Sequence, residues 1–175
     1  MVGASLALPA LQSQSLRGVL SPWAIPISTG LIAVAPDLDT YAMRIMAIPR
    51  HSLFAHRGVL HSPFFLILFC TTLAALTVGL RAPRAVGWLA VVWSAGAITH
   101  PLLDAMTDGG SGVMLLFPLS TQRYFFPWRP IHVSPLGVLR FFDRAGPILR
   151  SELPFCLGAI AIGLAGLWIR RHGHR

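Results

Sequence analysis

The chain contains no lysine, six acidic residues and two cysteines among 175 residues, and each scarcity narrows what it can do. All fourteen basic residues are therefore arginine, and they lie between apolar segments without a compact basic run. A nucleic-acid-binding surface gathers basic charge on one soluble face, so no nucleic-acid partner is expected. Charged residues make up 11% of the chain against 54% hydrophobic, with a mean hydropathy of +0.66. That is more apolar surface than a soluble domain of this length can bury. The reading that remains is one integral membrane domain over residues 1–175, with membrane lipids around it and arginines anchoring helix ends at the headgroups. Cys70 and Cys156 lie inside apolar runs, where a thiol behaves as a small hydrophobe, and they say nothing about redox compartment. No internal repeat or low-complexity segment is present.

The few acids are not scattered. Asp37, Asp39, Asp104 and Asp108 fall in or beside two short stretches, Pro36-Asp37-Leu38-Asp39 and His100-Pro101-Leu102-Leu103-Asp104, and only Asp143 and Glu152 lie elsewhere. Carboxylates close to hydrocarbon are costly and tend to be paired, metal-bound or functional. A third stretch, His56-Arg57-Gly58-Val59-Leu60-His61-Ser62, sets two imidazoles and a guanidinium at the front edge of an apolar run. His56 and His61 are close enough for one turn or a tight loop to aim both at one point, and Gly58 between them can adopt backbone geometry that other residues avoid.

A count of apolar runs predicts that these stretches meet. Met1–Leu11 reads as a half-length first helix, and 18–35 as a run of membrane length interrupted by Pro22 and Pro26 that ends at Asp37 and Asp39. Residues 40–55 read as a surface loop or interfacial helix. Runs at 63–80 and 85–106, joined by a tight turn at 81–84, carry the chain away and back, so that His56, His61, His100 and Asp104 arrive at the face holding Asp37 and Asp39. His100, Asp104 and Thr107 share one helical face. Beyond the flexible turn at 108–112, residues 113–118 are too short to span, and 122–135 mix aromatics, prolines and arginines as suits a headgroup layer. A short amphipathic helix at 138–150 and a last span at 153–169 complete an all-α polytopic bundle of about four to five helices with an interfacial loop region. Basic residues are denser per loop residue on the side opposite the site, which points that side to the cytoplasm.

The order Pro-Asp-Leu-Asp, His-Arg-Gly-x-x-His-Ser, His-x-x-x-Asp followed by Thr and Gly, then Leu-Phe-Pro before an arginine and aromatics, resembles the YdjM-type membrane-bound metal-dependent hydrolases over roughly residues 35–135. The resemblance implies a bacterial inner-membrane protein with a metal-dependent hydrolase assignment, related by pattern to zinc-dependent phospholipases and nucleases, and supplies no substrate. Family members typically carry a histidine in the first helix. No histidine precedes His51 here, so either the chain begins late or the site has one ligand fewer.

The expected metal ligands are Asp37, Asp39, His56, His61, His100 and Asp104. Imidazoles favour zinc as the divalent ion, and the carboxylates leave manganese or magnesium open. Asp39 is the first choice as general base to a metal-activated water. Arg57 is expected either to grip a substrate phosphate or to orient a ligand carboxylate. The expected substrate is an ester or phosphoester at the membrane surface, a phospholipid among the candidates. Each residue also has a plainer role: a lone histidine in an apolar helix is commonly a hydrogen-bonded core residue, and aspartates commonly cap helices. His51, His132, His172 and His174 are expected at the interface or in the tail. The competing function is a non-enzymatic metal-binding or ion-transport membrane protein whose acids and imidazoles relay ions.

Overall fold

The computed structural model describes residues 1–49, 52–134 and 138–172. Arg50, His51, His174 and Arg175 lie outside them, so the expectations for His51 and His174 are not addressed. In chain order the helices are α1 (Val2–Leu6), α2 (Gln14–Arg17), α3 (Ala24–Val34), α4 (Asp39–Ile45), α5 (Pro63–Val78), α6 (Pro83–Ala105) and α7 (Val138–His172), with 3-10 turns at Leu8–Gln12, Ala35–Leu38 and Val59–His61. Among the described residues there is no strand, only two isolated bridges, Thr107 with Ile131 and Val113 with Tyr124.

Helix boundaries follow local chemistry. Ser62 caps α5, its hydroxyl accepting from the Phe65 amide at 3.1 Å, and Pro63 takes the first helical position, where its missing N–H costs nothing. Gly79 ends α5 at φ 82°, outside the range most side chains tolerate, and Pro83 restarts the chain as α6. Pro22 and Pro26 shorten the run expected from 18 to 35: α3 begins only at Ala24 and covers 11 residues, roughly 16 Å of rise against about 30 Å of hydrocarbon. The expected break between an amphipathic helix and a last span is also absent, because α7 runs 35 residues through Pro147 and Pro154. A proline withdraws one N–H and frees one carbonyl, and a helix with neighbouring turns intact continues past it. Among the described residues two helical stretches, Pro83–Ala105 and Ala145–Arg170, are long and apolar enough to cross a membrane, and α5 is shorter at 16 residues.

At the hub stands α6, which packs against α1, α3 and α5. Glycines permit its tightest crossing: a Cβ on Gly3 would lie 2.9 Å from the Ala33 Cβ, and one on Gly96 would collide with the Thr29 methyl. Small residues of this kind let helix backbones approach where the surrounding medium offers no hydrophobic gain. Leu16, Ile25, Leu66, Cys70, Leu89 and Trp93 fill the core beneath, and the Trp93 indole donates to Ser28 at 2.9 Å. Against this fixed α3–α6 pair, the end of α6 and the turn after α3 hold their side chains in one layer.

Candidate metal centre

All six expected ligands meet. His100 and Asp104 come from the last turns of α6, Asp37 from the 3-10 turn after α3, Asp39 from the start of α4, and His56 and His61 from the loop leading into α5. Asp37, His61 and His100 form a three-donor group that could hold an ion, and Asp104 Oδ2 approaches its two imidazoles. Asp37 Oδ1 lies 3.1 Å from His100 Nε2 and 3.5 Å from His61 Nε2, and Asp104 Oδ2 lies 3.6 Å from each of those nitrogens. A tetrahedral zinc ion with bonds of about 2.0–2.1 Å needs donors roughly 3.3 Å apart, so this set fits with small adjustments. Asp104 Oδ2 and both nitrogens of His61 are buried without a hydrogen-bond partner, as is Asp39 Oδ2. Buried polar atoms are almost always satisfied, and a cation at the centre would satisfy Asp104 Oδ2 and His61 Nε2 together.

Behind these donors stands a second row. Asp39, with its side chain 1% exposed, accepts from His56 Nδ1 at 2.8 Å and places its other oxygen 3.2 Å from His61 Nδ1. The line from Asp39 through His61 matches the carboxylate–imidazole arrangement that fixes a tautomer where the imidazole binds a metal. Asp39, His56 and His61 also form a three-donor group of their own that could hold an ion. Arg57 anchors the opposite corner: Nη2 donates to Asp104 Oδ1 at 2.8 Å, and Nη1 donates to Thr107 Oγ1 at 3.0 Å and to the Gly109 carbonyl at 2.9 Å. Asp104 is thereby held by one oxygen and presents the other.

The loop achieves this by unusual backbone. Arg57 has φ 63°, a region costly for a residue with a Cβ, and a Cβ on Gly58 would lie 2.6 Å from the Ala55 carbonyl and closer still to that of Leu53. Arg123 secures the loop, donating to the carbonyls of His56 at 2.8 Å and Ser52 at 3.3 Å and to Ser111 Oγ at 3.1 Å. The Arg57 carbonyl in turn accepts from the Met114 amide at 3.1 Å.

Charge balance keeps the cluster ionised. Burial alone would raise the Asp39 carboxyl, but the hydrogen bond from His56 and the His61 imidazole close beside it outweigh that and bring it to about 2. Burial opposes the Asp37 carboxylate too, and His100 and His61 hold it well below the usual carboxylate range. His61 responds in the opposite sense: burial would depress it, and the Asp37 and Asp39 carboxylates 3.5 and 3.2 Å from its ring nitrogens push it up to about 9. Without a cation, a proton on His61 does the balancing.

A cavity of about 790 Å³ opens onto Asp37, His100 and Asp104, with His56 and Arg57 at its edge, while Asp39 and His61 do not line it. His132, expected at the interface, lines the same cavity, its Nδ1 donating to Asp108 Oδ2 at 2.7 Å, while the Val133 amide donates to Asp108 Oδ1 at 2.8 Å. Nothing local marked His132 or Arg123, because each is brought in by the irregular segment 107–134, whose pairing has no sequence period. His172 stays in the last turn of α7, its Nδ1 2.9 Å from the Trp168 carbonyl.

Comparison with known proteins gives a consistent family. The chain is 34% identical over 148 residues, 81% of each chain, to the inner membrane protein YbcI of Escherichia coli strain K12. No solved structure matches it. The model of the YdjM inner membrane protein family matches residues 1–172, and the protein belongs to that family of inner-membrane proteins.

Proposed function

We propose that the protein is a membrane-embedded metal-dependent hydrolase acting on an ester or phosphoester at the membrane surface. The observation that carries this reading is the unsatisfied donor set: Asp104 Oδ2 and His61 Nε2 are buried, unpartnered and clustered with Asp37 and His100 beside an open cavity. In this reading α3, α5, α6 and α7 form the membrane bundle, with α1 as a half-length helix beneath the site. Two imidazoles and two carboxylates favour zinc. Bound there, the ion would supply Lewis acidity and lower the pKa of a water.

The chain's own residues divide the remaining work. Asp39 holds the His61 ring and fixes its tautomer, a role suited to a side chain that does not reach the cavity. Arg57, with its donors engaged by Asp104, Thr107 and Gly109, orients a ligand carboxylate rather than gripping substrate. His132, held at Nδ1 by Asp108, has its second nitrogen available to carry a proton at the cavity wall.

The test is metal content of the purified protein together with initial rates on carboxylic ester, phosphomonoester and phosphodiester substrates. About one divalent ion per chain with metal-dependent turnover is expected. Stoichiometric metal without turnover of any of these substrates would favour the metal-binding or transport reading, and absence of stoichiometric metal under every loading condition would overturn both.

A further inference from the structure

The cavity at the metal centre has both polar and apolar walls. Asp37, His100, Asp104 and His132 line it, and so do Val34 of α3, Leu103 of α6 and Leu149, Leu153, Leu157 and Ile160 of α7, with Glu152 of α7 among them. The four apolar α7 residues fall on one helical face and extend over roughly 16 Å of helix rise. That face is not closed by protein: Val34 is 57% exposed, Leu153 53% and Leu157 56%. In a protein of the inner membrane, an apolar face left open beside α7 meets acyl chains. Arg44 on α4 also lines the cavity, exposed and forming no ion pair or hydrogen bond among the described residues. A guanidinium without a partner among the described residues, in the wall of such a cavity, suits a phosphate, which it can bind through two parallel N–H donors.

We infer that this groove takes one acyl chain of a membrane glycerophospholipid, laid along α7 between Leu149 and Ile160, with the lipid phosphate between Arg44 and the Asp37–His100–Asp104 group. The substrate thus enters sideways from the bilayer rather than from water. This rests on the hydrolase reading for its chemistry: water adds across one P–O ester bond, its oxygen bonding to phosphorus, while the departing alkoxide takes one of the water's protons and leaves as an alcohol. No further reactant is needed. The seating of the lipid does not depend on that step.

The experiment uses the full-length, zinc-loaded protein in nanodiscs of phosphatidylethanolamine and phosphatidylglycerol doped with a phospholipid carrying a photoactivatable diazirine in one acyl chain. Labelling is mapped by mass spectrometry, and hydrolysis of the same lipid and of 4-nitrophenyl phosphate is followed in parallel. Labelling of Val34 and Leu103 is expected, falling at least tenfold in Leu157→Trp while labelling of the outward Ile162 and the metal content stay as in the wild type. Arg44→Ala should lower labelling at Val34 severalfold, with Arg44→Lys partly restoring it. Labelling confined to Ile162 and its neighbours, or labelling of Val34 unmoved by Leu157→Trp, would overturn the inference. Hydrolysis of the soluble ester without groove labelling would leave the hydrolase standing and sink the lipid site. Groove labelling without hydrolysis of anything would do the reverse.

Discussion

Asp37 and Asp39 are two positions apart, carry the same chemical group and meet the same imidazole, yet they occupy different places. The Asp37 side chain is 46% exposed and faces the cavity with His100 and Asp104, whereas that of Asp39 is 1% exposed and sits behind His61 with His56. The same division separates Asp104, which presents an oxygen to the centre, from Arg57, which holds its other oxygen. A front row of donors and a rear row that orients them are thus built from one short set of residues. In the proposed centre a residue's role depends on which side of His61 it occupies, not on its type.

Removing a front-row donor should have the largest effect. His61→Ala or His100→Ala is expected to lower metal affinity by more than roughly a hundredfold, beyond the range typical of outer partners. Equilibrium titration against a competing chelator measures it, and retention of near-normal affinity in His100→Ala would move the centre to the Asp39, His56 and His61 group.

Acidity gives the next largest effect. His61 holds its proton to about pH 9 in the metal-free protein, so a cation must displace it at neutral pH. Affinity should rise toward pH 9, by up to about tenfold per unit for one proton released, and loading in weak buffer should acidify the solution by about one proton per ion. The sign for folding runs the other way. A raised pKa stabilises the metal-free fold fully below about pH 6.5, the ordinary histidine value, and that contribution is lost as pH rises through about 9. Thermal unfolding of the metal-free protein should therefore move to lower temperature over that window, and an unchanged transition would mean that His61 is neutral.

Rear-row changes come third. Asp39→Asn should weaken metal ten- to a hundredfold while leaving the ligand set intact, and Arg57→Lys should weaken it by about tenfold, because lysine keeps the charge but loses the fork. In both, activity should fall only in proportion to the metal lost. Full metal with turnover down about a hundredfold in Arg57→Lys would instead assign the guanidinium to the developing charge of the reaction. His132→Ala should leave metal content unchanged and lower turnover by about a hundredfold or more, as expected for loss of a proton carrier. Rates measured on metal-matched preparations decide it.

The sequence made this cluster of acids and imidazoles legible because charge is rare in the chain. A carboxylate or imidazole at the rim of an apolar run stands out there, and counting runs was enough to place Asp37, His61 and Asp104 together. The division into rows was not legible. It depends on the positive φ of Arg57 and the close approach at Gly58, which turn His61 inward from a loop with no period. The lengths of the helices were only partly legible: hydropathy alone extends α3 back to residue 18, whereas Pro22 and Pro26 hold it to 11 residues. Hydropathy also separates 138–150 from 153–169, where backbone hydrogen bonding carries α7 through both prolines. The partnership of His132 with Asp108 bridges 24 positions through irregular chain, and neither residue's immediate neighbours announce it.

X-ray absorption at the zinc edge of the loaded, full-length protein tests the division of rows most directly. Two imidazole nitrogens and oxygen donors at about 2.0–2.2 Å, with no sulfur, are predicted, and the same spectrum is expected from Asp39→Asn at saturating metal. Loss of one imidazole on His56→Ala, or a changed first shell in Asp39→Asn, would contradict the account, because both residues would then be ligands rather than the row behind them.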